Sequence, residues 1–224
     1  GGAPAALVER GPLLWRAVVN AAVQALRHVG LSGWEPSECL VVERELTTWA
    51  EAGGLSDDPA AALRLRASVE RAQRLVDGHS EAVLGLLSGR AAALGAALGV
   101  PQETARVFAE ADIRAGVPFQ LSRVLQLLLR ATAAVAETDG YEVLVPGVAV
   151  GRLETVDRLD PAELEARRGE RRVLVVRSVD GEEEVGGSGV AGLVLLQQLP
   201  HLSHLAVRCR QEGVVLVCTT DGAR

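Results

Sequence analysis

The chain has 224 residues, 48% of them hydrophobic and 3% aromatic, with 29 acidic against 23 basic residues, a net charge of −6 and a pI near 5.3. That length can bury the core of one large domain or two small ones, and the acidic balance argues against nucleic acid, whose footprint is a basic stripe. No run approaches the roughly 18 apolar residues of a membrane span, no secretory signal opens the chain, and all 23 basic residues are Arg, which excludes a lysine-based phosphate loop or a Schiff base in its usual form.

LLWRAVVNAAVQALRHVG carries apolar residues at three-to-four spacing and stops at Gly30, which predicts a first helix. EPSECLVVERELTTWAEAGG predicts a second, with Pro36 in its first turn and Gly53-Gly54 at its end. An Asp-Pro start opens a longer helix, SDDPAAALRLRASVERAQRLVDGHSEAVLGLL. RAAALGAALGV, PQETARVFAEADI and PFQLSRVLQLLLRATAAVAET each repeat the helical period, so roughly six helices precede residue 140.

Beyond Asp139-Gly140 the pattern changes. YEVLVPGVAVGRLETVDRL, RRVLVVRSV, GVAGLVLL and GVVLVC are β-branched runs separated by Gly, Asp and Pro clusters, a strand signature. DPAELEARRGE, residues 160–170, reads as a short helix on its Asp-Pro start. The expected fold class is α+β, with an all-helical domain over 1–140, a strand-rich domain over 144–224 and the boundary near 138–146. The three cysteines, Cys39, Cys209 and Cys218, are scattered and odd in number, which fits a reducing compartment and no disulfide framework.

Two of the four histidines fall in LPHLSHLAVRCRQEGVVLVC, residues 199–218. Pro200 ends the strand before it. Ser203 is a good N-cap and Gly213 a natural stop, which sets His204 in a first helical turn and His201 in the preceding loop. A helix N-terminus disfavours the protonated imidazole by about 0.3–1 kcal/mol at an exposed site and leaves a lone pair for attack. Its unpaired N–H groups would stabilise a phosphoryl group placed on that ring, and Arg208, at i+4, could pair the new charge. Blander readings compete. A lone histidine at a helix start is more often a satisfied surface residue. A His201–His204 zinc pair lacks a third and fourth ligand, since Cys209 and Cys218 have no ligand-like spacing. A Ser203–His204 hydrolase lacks G-x-S-x-G.

This segment resembles the phosphohistidine motif of the glucan, water dikinases, most closely that of the phosphoglucan, water dikinase branch. More distantly, S-H-L-A-V-R-C-R is similar to the T-S-H-A-A-I-V-A-R pattern of phosphoenolpyruvate-utilising enzymes. In that pattern the phosphorylated histidine follows the serine, which implies His204 as the catalytic residue and not His201. Ser203, Arg208 and Arg210 are implied around the phosphate. GLSGWEPSECLVVERELTTW, LRLRASVERAQRLVDGHSEAVL, FAEADIRAGVPFQLSRVL, YEVLVPGVAVGRLETVDRL and VDGEEEV resemble further segments of the same family, in order, across nearly the whole chain.

The resemblance implies a β/β/α swivelling phosphohistidine domain, in which the 190–196 and 214–218 strands flank the His204 helix. It also implies a dikinase reaction, in which the β-phosphate of ATP passes through His204 to a glucosyl hydroxyl of a (phospho)glucan. ATP and Mg2+ would be held by a nucleotide-binding domain outside this chain. That domain and glucan or starch are the implied partners, with no nucleic acid, no membrane and no metal site of the chain's own. The implied compartment is the plastid stroma. Departures from the family pattern are Cys209 for the usual Ala, Glu182 for an Asp, and extra glycine between Gly186 and Gly189. The absence of Met predicts a fragment or processed piece, and the resemblance implies that it lacks the family's starch-binding module and nucleotide-binding domain. The alternative is a non-catalytic phosphocarrier or regulatory fragment that docks through its helical half. Trp15, Trp34 and Trp49 lie among helical apolar residues and are expected in the core rather than as sugar stackers. His28 and His79 are expected to be structural or surface residues.

Overall fold

Proline in the first turn and apolar residues at helical spacing build the first part of the computed structural model, which describes residues 12–55, 58–136 and 140–219. Its helices are α1 (Pro12–Leu31), α2 (Pro36–Glu51), α3 (Pro59–Ala97), α4 (Gln102–Ala115) and α5 (Val117–Ala136). Prolines open α2 and α3, where a missing N–H costs nothing. Asp58 caps α3 by accepting from the Ala60 N–H at 3.0 Å.

The break expected near Ser88-Gly89 is absent, and α3 runs unbroken for 39 residues. Each glycine there costs about 1 kcal/mol against Ala, but neither a proline nor a capping side chain interrupts the ladder. Ser88 bonds back to the Leu84 carbonyl at 2.7 Å and lets it continue. Tertiary packing then holds the far end, because Gly95 lets α4 come so close that an added Cβ would lie 2.7 Å from the Ala105 Cβ. The helices before residue 140 are therefore five among the described residues, not six.

The chain divides into two compact units, 1–138 and 139–224. The core of the first joins Val19 and Leu26 of α1, Val42 and Leu46 of α2, Leu65 and Val69 of α3, and Leu125 and Leu128 of α5, all fully buried. Each such side chain contributes about 1.5–3 kcal/mol of transfer free energy. The buried Gln73 amide donates to the Ser122 hydroxyl at 3.0 Å and ties α3 to α5. Trp15 is core, as expected, at 3% exposure, and its Nε1–H donates to the Trp49 carbonyl at 2.9 Å. Trp34 and Trp49 each keep part of their surface exposed.

The second unit contains β1 (Tyr141–Val145), β2 (Arg152–Val156), α6 (Pro161–Ala166), β3 (Arg172–Val176), β4 (Val190–Leu195), α7 (His204–Glu212) and β5 (Val215–Thr219). The sheet order is β1-β5-β4-β3-β2, with β1 antiparallel to β5 and the other pairs parallel. Parallel neighbours need a crossover, and α6 and α7 lie within two of them. Alternate residues Leu174, Val176, Leu193, Leu195, Leu216 and Cys218 are buried in one core with Leu205, Ala206 and Cys209 of α7. Helices with a mixed five-stranded sheet make the chain α+β, as expected.

Cys209 lies on the buried face of α7 and is fully enclosed in that core. Burial pushes its thiol up to about 12, against the opposing pull of the Arg210 charge. The thiolate is the reactive form, so iodoacetamide at pH 8 should leave Cys209 unmodified in the native protein and alkylate it on unfolding. Native-state alkylation at the rate of a free thiol would contradict this burial.

Candidate functional site

After β4 the chain passes through Pro200 and a turn at His201-Leu202 into α7. Ser203 is the N-cap, its Oγ accepting from the Ala206 N–H at 3.3 Å, and Gly213 closes the helix with φ 68°. His204 therefore stands in the first turn, only 6% exposed. The N–H groups expected to be available there are partly taken. Leu205 N–H donates to the Gly181 carbonyl at 2.9 Å, and Ala206 N–H to Ser203. Gly181, at φ 88°, adopts a turn open to glycine that brings its carbonyl over the helix start. Side-chain charge and the helix dipole carry more of any anion binding at His204 than the sequence implies.

That charge is Arg208, and a carboxylate already links it to the histidine. Glu184 Oε1 lies 3.0 Å from His204 Nε2 and 3.6 Å from Arg208 Nε. An ionised carboxylate only accepts, so Nε2 is the donor in this arrangement. The run VDGEEEV sets Glu184 there. Glu183 folds back to accept from the Asp180 and Gly181 N–H groups at 2.6 and 2.8 Å, which pins the turn. Glu182, the carboxylate singled out in the sequence, is exposed, and the one that meets His204 is Glu184. No spacing rule finds Glu184, since it precedes His204 by 20 positions in the β3–β4 connection.

Ser203, His204 and Arg208 come together at one end of α7. Arg210 points its described bonds elsewhere, with Nη2 3.4 Å from the His201 carbonyl and 3.5 Å from that of Leu144. It ties the histidine loop to β1. His201 lies in the loop, as expected, yet is buried, with Nε2 3.1 Å from Glu142 Oε1, whose side chain is 10% exposed. The two histidines thus turn to different carboxylates, and among the described residues no three His, Cys, Asp or Glu side chains are placed to hold a metal. We expect His201→Ala to lower stability in denaturant unfolding by about 1.5–3 kcal/mol, the size of a hydrogen bond to a charged group. An unchanged midpoint would show that the Glu142 contact is dispensable.

Residues 140–224 match the family model described as alpha-glucan water dikinase, phosphohistidine-like domain. The C-terminal unit belongs to that dikinase domain family. The match opens one residue after the second compact unit begins. The similarity extends into the helical unit: over 179 residues, 79% of this chain, it is 32% identical to the chloroplastic alpha-glucan water dikinase of Solanum tuberosum. Over 162 residues, 71% of the chain, it is 32% identical to chloroplastic alpha-glucan water dikinase 1 of Arabidopsis thaliana. These matches span only 12% and 11% of the two dikinases. Both carry the alpha-glucan name rather than that of the phosphoglucan branch. No solved structure gives a significant match.

Proposed function

We propose that the chain is the helical and phosphohistidine part of a glucan, water dikinase, with domains at about 1–140 and 144–224, and that His204 carries the phosphoryl group. In the first half-reaction Glu184 turns away, the ring takes the tautomer with its proton on Nδ1, and the freed Nε2 lone pair of His204 attacks the β-phosphorus of ATP. The N–P bond forms as the bond to AMP breaks, and the γ-phosphate leaves with water as inorganic phosphate. In the second, a glucosyl hydroxyl of a glucan or phosphoglucan takes the phosphoryl group and the ring is freed. A covalent intermediate divides one difficult transfer into two and calls for ping-pong kinetics. A swivelling domain lets one histidine visit two sites.

Mg-ATP belongs to a nucleotide-binding domain elsewhere in the enzyme, as the resemblance to the dikinases implies, and the lack of lysine in this chain agrees with that. Arg208 pairs the transferred phosphate, Ser203 holds the helix start, and Arg210 keeps the loop in place behind them. The relatives are named chloroplastic, which supports the plastid as the compartment.

The observation that carries this reading is the Glu184 carboxylate, an anion held between His204 Nε2 and Arg208 in the position a phosphoryl group on that nitrogen would take. The test supplies the chain with the nucleotide-binding domain of a complete dikinase and Mg-ATP labelled at the β-phosphate. Label should appear on the chain, survive alkali and be lost in mild acid, as a phosphoramidate is. The chain alone with Mg-ATP should stay unlabelled. Absence of label with the domain present would favour a non-catalytic regulatory piece.

A further inference from the structure

In the helical unit a pocket of about 300 Å³ opens where the start of α2 meets the middle of α3, lined by Trp34, Glu35, Glu38, Arg71, Arg74 and Leu75. That volume is at the small end of ligand sites. Two unfavourable backbone features converge on Trp34. Glu35, beside it, has φ 38° and ψ 51°, the one left-handed non-glycine among the described residues. Gly78 lies in the middle of the unbroken α3, where glycine weakens a helix. The tryptophan ring sits so close to it that an added Cβ would lie 2.9 Å from Trp34 Cζ2. The ring is thereby wedged on α3, with His79 edge-on at 6.4 Å and its own Nε1–H buried without a hydrogen-bond partner. Strain gathered at one place points to a site rather than to core filling. A purely core tryptophan would be enclosed like Trp15.

The polar wall selects the ligand. Arg71 is already engaged, Nη1 at 2.6 Å from Glu45 and Nη2 at 2.7 Å from Glu38, so its fork is not open to a phosphate. Arg74 and the Glu35 carboxylate are exposed, and neither makes a side-chain hydrogen bond or ion pair among the described residues. Two carboxylates against two guanidiniums leave the lining without net charge. Acceptors, donors and an apolar platform of Trp34 and Leu75 together fit an uncharged ring with one apolar face and a rim of hydroxyls.

We propose that this pocket is a carbohydrate subsite of the helical unit that takes one neutral glucosyl ring of an α-glucan. The choice of glucose rests on the dikinase reading, and the class of ligand rests on the pocket. Titration of the full 224-residue chain with maltoheptaose, followed by tryptophan fluorescence and saturation-transfer NMR, should give saturable binding. Trp34→Ala should weaken it about tenfold or more and Arg74→Ala several-fold, a tenfold change being one decade in Kd. Inorganic phosphate should not displace the sugar. Arg74→Ala removes an exposed side chain without a described partner, so it decides the matter even where Trp34→Ala fails to fold. No saturable binding, affinity unchanged in Arg74→Ala, or displacement by phosphate would each overturn the proposal. Labelling of His204 without maltoheptaose binding would sink the subsite alone, whereas sugar binding without labelling would sink the dikinase reading and keep the pocket.

Discussion

His204→Ala is expected to remove all phosphoryl label from the chain when the nucleotide-binding domain and β-labelled Mg-ATP are supplied. The reason is positional. His204 is the imidazole in the first turn of α7, and its ring nitrogen faces the one anion position that Arg208 also reaches. His201 offers no substitute, because its ring is buried against Glu142. Ser203 offers none either, since its hydroxyl is occupied in capping. Ser203→Ala should therefore keep partial labelling, with a loss of about 0.5–2 kcal/mol of local helix stability and no chemistry. His201→Ala should label wherever it remains folded. Tandem mass spectrometry of the labelled peptide reads the site. Phosphate on His201, or an acid-stable label on Ser203, would end the assignment.

Arg208→Ala should slow label transfer by about 10- to 100-fold, the kinetic equivalent of a charge-assisted hydrogen bond of about 1.5–3 kcal/mol at about 1.4 kcal/mol per decade. Glu184→Ala should behave in the opposite sense. On the proposed reading its carboxylate occupies the place the phosphoryl group needs, its side chain is 45% exposed, and it can turn into solvent at little cost. Removing it should leave the rate at least that of the unaltered chain. Single-turnover quench-flow separates the two. A hundredfold fall in Glu184→Ala would instead make that carboxylate the base that strips the Nε2 proton. No effect in Arg208→Ala would remove the arginine from the transfer step.

Much of this was open to local reading. The Asp-Pro starts of α3 and α6, the Ser203 cap and the Gly213 stop are set by a few neighbouring residues, because a cap needs only its own first turn and a left-handed stop only one residue. The change from helical period to β-branched runs after Gly140 is local in the same sense, so the α+β class and the position of His204 at a helix start followed from the sequence. The merging of two expected helices into α3 did not, since it depends on α4 packing against Gly95. Nor did Glu184, which a turn pinned by Glu183 carries to the start of a helix 20 positions later. The roles of Arg210 and His201 as ties to β1, and of Trp34 as a pocket wall rather than core, likewise belong to distant partners. Hydrogen bonds and caps along one stretch are specified by neighbours in the chain, whereas the partner of a buried charge or ring is whatever the folded topology delivers to it.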